Sequence, residues 1–311
     1  VGQQLTSIIA LCAIMWFTVT WRPRLLFSLT RVKELFSFGW KLLVSGLIDV
    51  TYNSLSSLVI GKLYPASMLG YYTKGQEFPN VLVANINSSI QAVMFPAYAK
   101  CQDNRPLVKQ IMRRALVTSS FLVFPAMAGL AAVAEPLVIL LLTEKWLVAV
   151  PFLQIFCAVY ALWPIHTANL QAINALGRSD IFLRLEIMKK VVGLFMLAVT
   201  IPIGIYAMAL GMVVTGIIGT LINAYPNKLL LDYSFTEQWK DLMPALILSL
   251  IMCGVTYSVL FLGLSAWVTL ILQIGVGVVV YTGLAWVLGL ESLTYIMKTV
   301  REYLPGRKEA C

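Results

Sequence analysis

The chain has 311 residues, of which 59% are hydrophobic and only 12% charged, with a formal net charge of +9. A soluble domain carries roughly 25% charged residues, and surface-to-volume scaling leaves a globule of this size no way to hide so much apolar surface. Nucleic-acid binding is also disfavoured, because the basic residues sit in short segments beside apolar stretches, where they fix orientation and meet anionic head groups.

Nine stretches are long and apolar enough to cross roughly 30 Å of hydrocarbon, which takes about 20 residues as a helix. In chain order they cover residues 5–21, 36–60, 79–99, 116–133, 146–170, 187–202, 205–225, 242–262 and 266–288. The expected fold class is an all-α polytopic membrane helix bundle of about nine transmembrane helices. The segments between them alternate between basic and nearly uncharged. Of the 23 Lys and Arg residues, 20 fall on one side when the stretches alternate in direction, and only Lys62, Lys74 and Lys145 fall on the other. The positive-inside rule makes the basic side cytoplasmic, which places the C-terminus inside and the N-terminus outside. The chain starts at Val1, close to the first stretch and with no basic n-region or cleavage site. Its start is therefore expected to be an internal point of a longer polypeptide.

Between the spans, residues 69–79 read as the longest polar outer segment, with Tyr71 and Tyr72 in an interfacial aromatic belt together with Trp146 and Trp163. Residues 134–145 either extend the fourth span or lie at the outer interface. Pro226-Asn227 is expected to end the seventh span, while Pro96, Pro125 and Pro164 interrupt spans and imply kinks facing protein or water. Beyond Ser292 a short amphipathic helix is expected on the inner surface. The eighth and ninth spans carry few polar residues and read as lipid-facing and peripheral.

Polar residues inside the second, third and fifth spans carry the functional signal. Asp49 lies near the middle of the second span, where a carboxylate is costly unless it is paired, hydrated or protonated. At helical spacing it shares a face with Asn53, Ser56 and Ser57, and Ser45 lies one turn below. This stripe either lines a hydrophilic cavity, with Asp49 as a proton, cation or substrate contact, or makes interhelical hydrogen bonds. The third span places Asn87 and Gln91 on one face, and the fifth has Gln154, His166 and Asn169. His166 is either a group that titrates near neutrality or a packing donor beside Pro164. The candidate path residues are thus Asp49, Asn53, Ser56, Asn87, Gln91, Gln154 and Asn169, with Lys41 at the cytoplasmic rim. There is no G-x-S-x-G, no Walker A loop, no H-E-x-x-H and no C-x-x-C, so neither an enzyme nor a metal or cofactor site is expected. Cys12, Cys101, Cys157, Cys253 and Cys311 read as free thiols.

Several runs carry a resemblance: WRPRLLFSLTRVKELFSFGWKLLVSGLID, VIGKLYPASMLGYYTKGQEFP, MFPAYAKCQDN, and EKWLVAVPFLQIFC followed by NALGRSD. In order and spacing they resemble bacterial polysaccharide-export flippases of the Wzx group, exporters of O-unit, colanic and teichuronic acid repeat units. These are kin to multidrug-extruding MATE proteins and the lipid II flippase. The resemblance implies two six-helix lobes and often two extra helices. Residues 1–35 would then be the last span of a first lobe plus the inter-lobe loop, 36–225 a complete second lobe, 226–289 two additional helices, and 290–311 a cytoplasmic tail. It also implies a polyprenyl-pyrophosphate-linked oligosaccharide as substrate, moved by alternating access across a bacterial inner membrane. Membrane lipids and the polysaccharide polymerase machinery are the expected partners. With half of the inter-lobe cavity wall missing, the chain alone is expected to be inactive. The competing readings are a cation-coupled drug antiporter of the same superfamily and a non-transporting component of polysaccharide assembly.

Overall fold

A computed structural model of the chain describes residues 2–19, 28–101, 104–290 and 292–294. Arg22, Arg24 and the C-terminal amphipathic segment lie outside the described residues. The chain divides into two compact units, Val1–Trp40 and Lys41–Cys311. The first holds α1 (Gly2–Thr18) and the beginning of α2 (Leu29–Leu63). The second holds the rest of α2, then α3 (Ala66–Cys101), α4 (Arg105–Ala132), α5 (Ala134–Leu142), α6 (Val150–Ala161), α7 (Trp163–Ala175), α8 (Ser179–Thr200), α9 (Ile205–Leu231), α10 (Phe235–Ser258) and α11 (Ala266–Val287).

All nine apolar stretches fall on helices. Among the described residues, six regions are long and apolar enough to cross a membrane: Gly39–Leu63, Arg105–Ala132, Glu144–Ala175, Ile205–Leu231, Phe235–Leu262 and Ala266–Val287. The stretches at 79–99 and 187–202 lie inside α3 and α8, whose polar residues dilute their hydropathy, and α1 is short. The chain is an all-α, multi-pass membrane protein.

Local chemistry sets the turns. Asn104 caps α4 by accepting from the Leu107 amide (3.2 Å), and Pro106 occupies an early position where its missing N–H costs nothing. Ser234 caps α10 by accepting from Glu237 N (3.3 Å), in the S-x-x-E spacing of a capping box. The turn between α2 and α3 is only Tyr64-Pro65, closed by Met68 N donating to Pro65 O (2.9 Å).

Three expectations change. Residues 69–79 are helical within α3, because polar residues there cover one helix face instead of forming a loop. Lys74 pairs with Glu77 at 2.5 Å on that face, and Gly75 fits against Phe152 and Leu153 of α6. Of the two alternatives for residues 134–145, the extension of α4 is excluded. The Val133 amide closes α4 onto Gly129 O, α5 follows, and a 3-10 turn at Glu144–Ala149 leads into α6. Finally, α9 continues past Pro226 to Leu231, where Asp232 in the left-handed region ends it.

In the second unit, α4 packs along α10 more extensively than any other pair of helices, and it also touches α3, α6 and α7. The core on this side joins Met112, Leu116, Phe121 and Phe124 of α4 to Leu242, Leu248 and Met252 of α10. A second core gathers Ile60, Tyr72, Phe152, Phe156 and Met208 from α2, α3, α6 and α9. The N-terminal end of α10 is clamped to α4: Arg113 makes two bonds to Asp241 (2.8 and 2.6 Å), and Lys109 pairs with Glu237 at 3.1 Å. Thus α10 is integral to the packing rather than peripheral.

Candidate functional site: a polar cavity walled by α2, α3, α7, α8 and α9

A cavity of about 720 Å³ opens among α2, α3, α6, α7, α8 and α9 of the second unit. Its charged groups come chiefly from α8. Lys190 lies 11 residues past Ser179, about 16 Å along the helix at 1.5 Å per residue, so it projects from the middle of α8 and not from its end. There its ammonium donates to Asp49 Oδ1 of α2 at 2.5 Å and sits 4.6 Å from the centroid of the Tyr52 ring. The Tyr52 ring packs on Gly193, where any Cβ would overlap its hydroxyl. One residue earlier, Lys189 pairs with Glu186 at 2.5 Å, and its stem passes near Gly219 of α9. The two lysines thus diverge, one toward α2 and the other toward α9. Each cation has its own carboxylate, so the charged wall is locally neutral.

The rest of the wall is polar and aromatic. Gln76 and Asn80 come from α3, Tyr160 from the end of α6, Trp163, His166 and Thr167 from α7, and Thr215 from α9. Gln76 Nε2 donates to the Tyr160 hydroxyl (3.2 Å). The Asn223 amide nitrogen lies 2.9 Å from His166 Nδ1; as a donor it leaves the ring proton of a neutral histidine on Nε2. His166 is therefore at once a cavity-lining group and a packing partner of α9.

Of the residues expected on a transport path, Asp49 is in the cavity wall. Ser56 lines a narrow adjoining cleft of about 10 Å³ with Tyr52, Tyr72 and Gly193. The Asn53 side chain lies outside the described residues, and Lys41 is half-buried on α2. The other four join helices. Asn87 donates to Thr167 Oγ1 (2.8 Å), and Gln91 accepts from Gln171 (2.8 Å), so both bridge α3 to α7. Gln154 reaches Ala131 O of α4 (3.3 Å). Asn169 is fully buried and exchanges two amide bonds with Gln238 (2.9 and 3.1 Å) while also accepting from Asn227 (2.8 Å). These four therefore lie in interhelical contacts and not in the wall of the large cavity.

From sequence, Lys189 and Lys190 count only among the 20 basic residues of the cytoplasmic side, and Glu186 carries no expectation. The signal that could have placed them is the helix start at Ser179-Asp180: from there an E-x-x-K-K run is carried two to three turns into a continuous helix.

A family model described as "Polysaccharide biosynthesis protein" matches residues 1–151. The lipopolysaccharide biosynthesis protein WzxC of Escherichia coli K12 is 30% identical over 242 residues, covering 76% of this chain and 49% of that protein. The teichuronic acid biosynthesis protein TuaB of Bacillus subtilis 168 is 26% identical over 266 residues, covering 84% of this chain and 55% of that protein. The chain is thus Wzx-like, similar in sequence to these polysaccharide biosynthesis proteins. Its fold is that of the lipid II flippase MurJ in an inward closed conformation, with a TM-score of 0.70 at 17% identity, over 91% of this chain and 60% of that one. This Wzx-like chain spans about half the length of the curated relatives it matches.

Proposed function

We propose that this Wzx-like chain supplies one lobe of a flippase that carries polyprenyl-diphosphate-linked oligosaccharide repeat units across a bacterial inner membrane for surface polysaccharide synthesis. Residues 36–225 form that lobe, 226–289 are two additional helices, and the basic side with the C-terminus faces the cytoplasm. The supporting observation is the polar cavity, in which a lysine–aspartate pair, amides and aromatic rings meet well inside the helices. Ionic groups at such depth are costly and mark substrate or ion pathways. Lysine ammonium groups suit the diphosphate, and amides suit hydroxyls. Export proceeds by rocking of one lobe against another around the cavity. In this reading Asp49 is the resident counter-ion of Lys190 and holds its place until an anionic head group enters. Because Lys190 already meets its charge, Asp49 is poorly placed to attract a cationic drug.

The complete gene product that carries this chain is tested by complementation of a flippase-null bacterium, with surface glycan as the readout. Restored polymer is expected. Resistance to cationic dyes without polymer assigns the protein to the antiporter class, and neither phenotype leaves a non-transporting role in assembly.

A further inference from the structure

The span Glu144–Ala175 is broken near its middle. α6 ends at Ala161 and α7 starts at Trp163. At the joint, the Leu162 amide bonds back to Val159 O (3.3 Å) in the tighter i,i+3 manner, and Pro164 supplies no N–H. Within hydrocarbon an interrupted helix is tolerated where it is covered by protein or lines a water-filled cavity, and interruptions of this kind point to binding sites. Here the cavity lies against the break. The two residues that flank it place their rings on the wall: Tyr160 and Trp163 stand edge to face, with centroids 4.9 Å apart at 74°. Trp163 is therefore a cavity residue near the middle of the Glu144–Ala175 region.

Opposite the break, α3 presents amides. Gln76 fixes the Tyr160 hydroxyl. Asn80 lines the same wall one turn further on and makes no hydrogen bond among the described residues. Rigid aromatic faces beside an unengaged amide suit a ligand with an apolar C–H face and a rim of hydroxyls, which is the shape of a pyranose ring. They do not suit a diphosphate, whose charge calls for the ammonium groups on α8. We infer that the break between α6 and α7 is the glycan-reading element of the cavity, with Trp163 as the stacking platform for a sugar ring and Asn80 as a partner for its hydroxyls. This rests on the flippase reading. It divides the cavity into an α8 side that holds the carrier's charge and an α3/α6–α7 side that distinguishes one repeat unit from another.

The test uses the complete gene product in nanodiscs and two probes: undecaprenyl diphosphate without sugar, and the lipid-linked repeat unit extracted from an export-blocked strain. Trp163→Ala is expected to weaken binding of the glycan-bearing carrier about tenfold and leave the bare carrier unchanged, with Trp163→Phe recovering most of the loss. Asn80→Ala, a milder change on another helix, should lower the same affinity by roughly threefold with the same selectivity. Equal loss for both probes, or none for either, overturns the inference. So does displacement of a bound cationic dye that depends on Trp163 when the glycan has no effect. If the unsubstituted protein binds neither probe, the flippase reading itself fails, an outcome separate from a failure of selectivity.

Discussion

The cavity side and the α4–α10 side of this protein use the same residue types for opposite ends. On the packed side, Asn169, Asn227 and Gln238 are buried and hydrogen-bond one another across α7, α9 and α10, leaving Asn227 Oδ1 without a partner. On the cavity side, Asn80 faces open volume, and charged groups replace the amide ladder. Burial differs in step: half of the apolar window of α4 is buried, against 18% for α2. A polar residue in a span is glue where a second amide meets it, and it is available to a ligand where none does. The helix that carries Asp49, α2, is held to α8 by side chains, through Lys190–Asp49 and Tyr52 on Gly193.

The contrast is broken most severely at the charge pair. Lys190→Glu sets two carboxylates against each other and is expected to cost export roughly a hundredfold in a complementation assay, the scale of a 2–3 kcal/mol loss. The exchanged pair, Asp49→Lys with Lys190→Asp, should regain part of it; if the exchange is as inactive as the single change, mutual pairing is not what Lys190 provides. At the α3–α6 contact, Gly75→Ala would bring a Cβ within 2.6 Å of Phe152 Cβ and 2.8 Å of Leu153 N. Backbone cannot swing away, so thermal unfolding in detergent should show a loss of about 2–3 kcal/mol. Gly275→Ala, with open space around it, should be neutral by the same measurement. Asn169→Leu strands amide groups on Gln238 and Asn227 and should cost about 1–3 kcal/mol. The double change with Gln238→Leu should cost less than the two single changes added together, since their shared bond is lost only once.

These expectations also mark what the residues alone could reveal. The nine helical stretches were legible because apolar runs of that length have few other uses. Asp49 was legible because an isolated acid in a span is rare. Lys190 was not, because positive-inside logic counts a lysine without saying how deep it sits, and depth depends on where α8 begins. Asn87, Gln91 and Asn169 shared the helical spacing of a cavity stripe, yet they meet Thr167, Gln171 and Gln238 from helices far away in sequence. Periodicity gives the face a residue is on, but it does not give the neighbour of that face.

The smallest effect belongs to an ion pair that resembles Lys190–Asp49 in chemistry and lies at a helix start. Arg178 holds Asp180 at the start of α8 through two bonds of 3.0 Å, and this hydrogen bonding keeps the Asp180 carboxyl down at about 2. A carboxyl depressed in the folded state adds stability that is fully present above its ordinary value near 3.8 and is lost as pH falls through about 2. The melting temperatures of the unsubstituted protein and Arg178→Ala should therefore differ slightly at pH 6 and converge between pH 4 and pH 2. Half-exposed, the Arg178 side chain is screened by salt, so raising ionic strength should close the same gap. Lys190 is largely shielded from solvent while its partner Asp49 is half-exposed, so the loss caused by Lys190→Glu should shrink less with added salt than that of Arg178→Ala. If both losses shrink alike, the cavity pair is no better protected than a surface one, and the contrast between the two environments does not hold at its charged end.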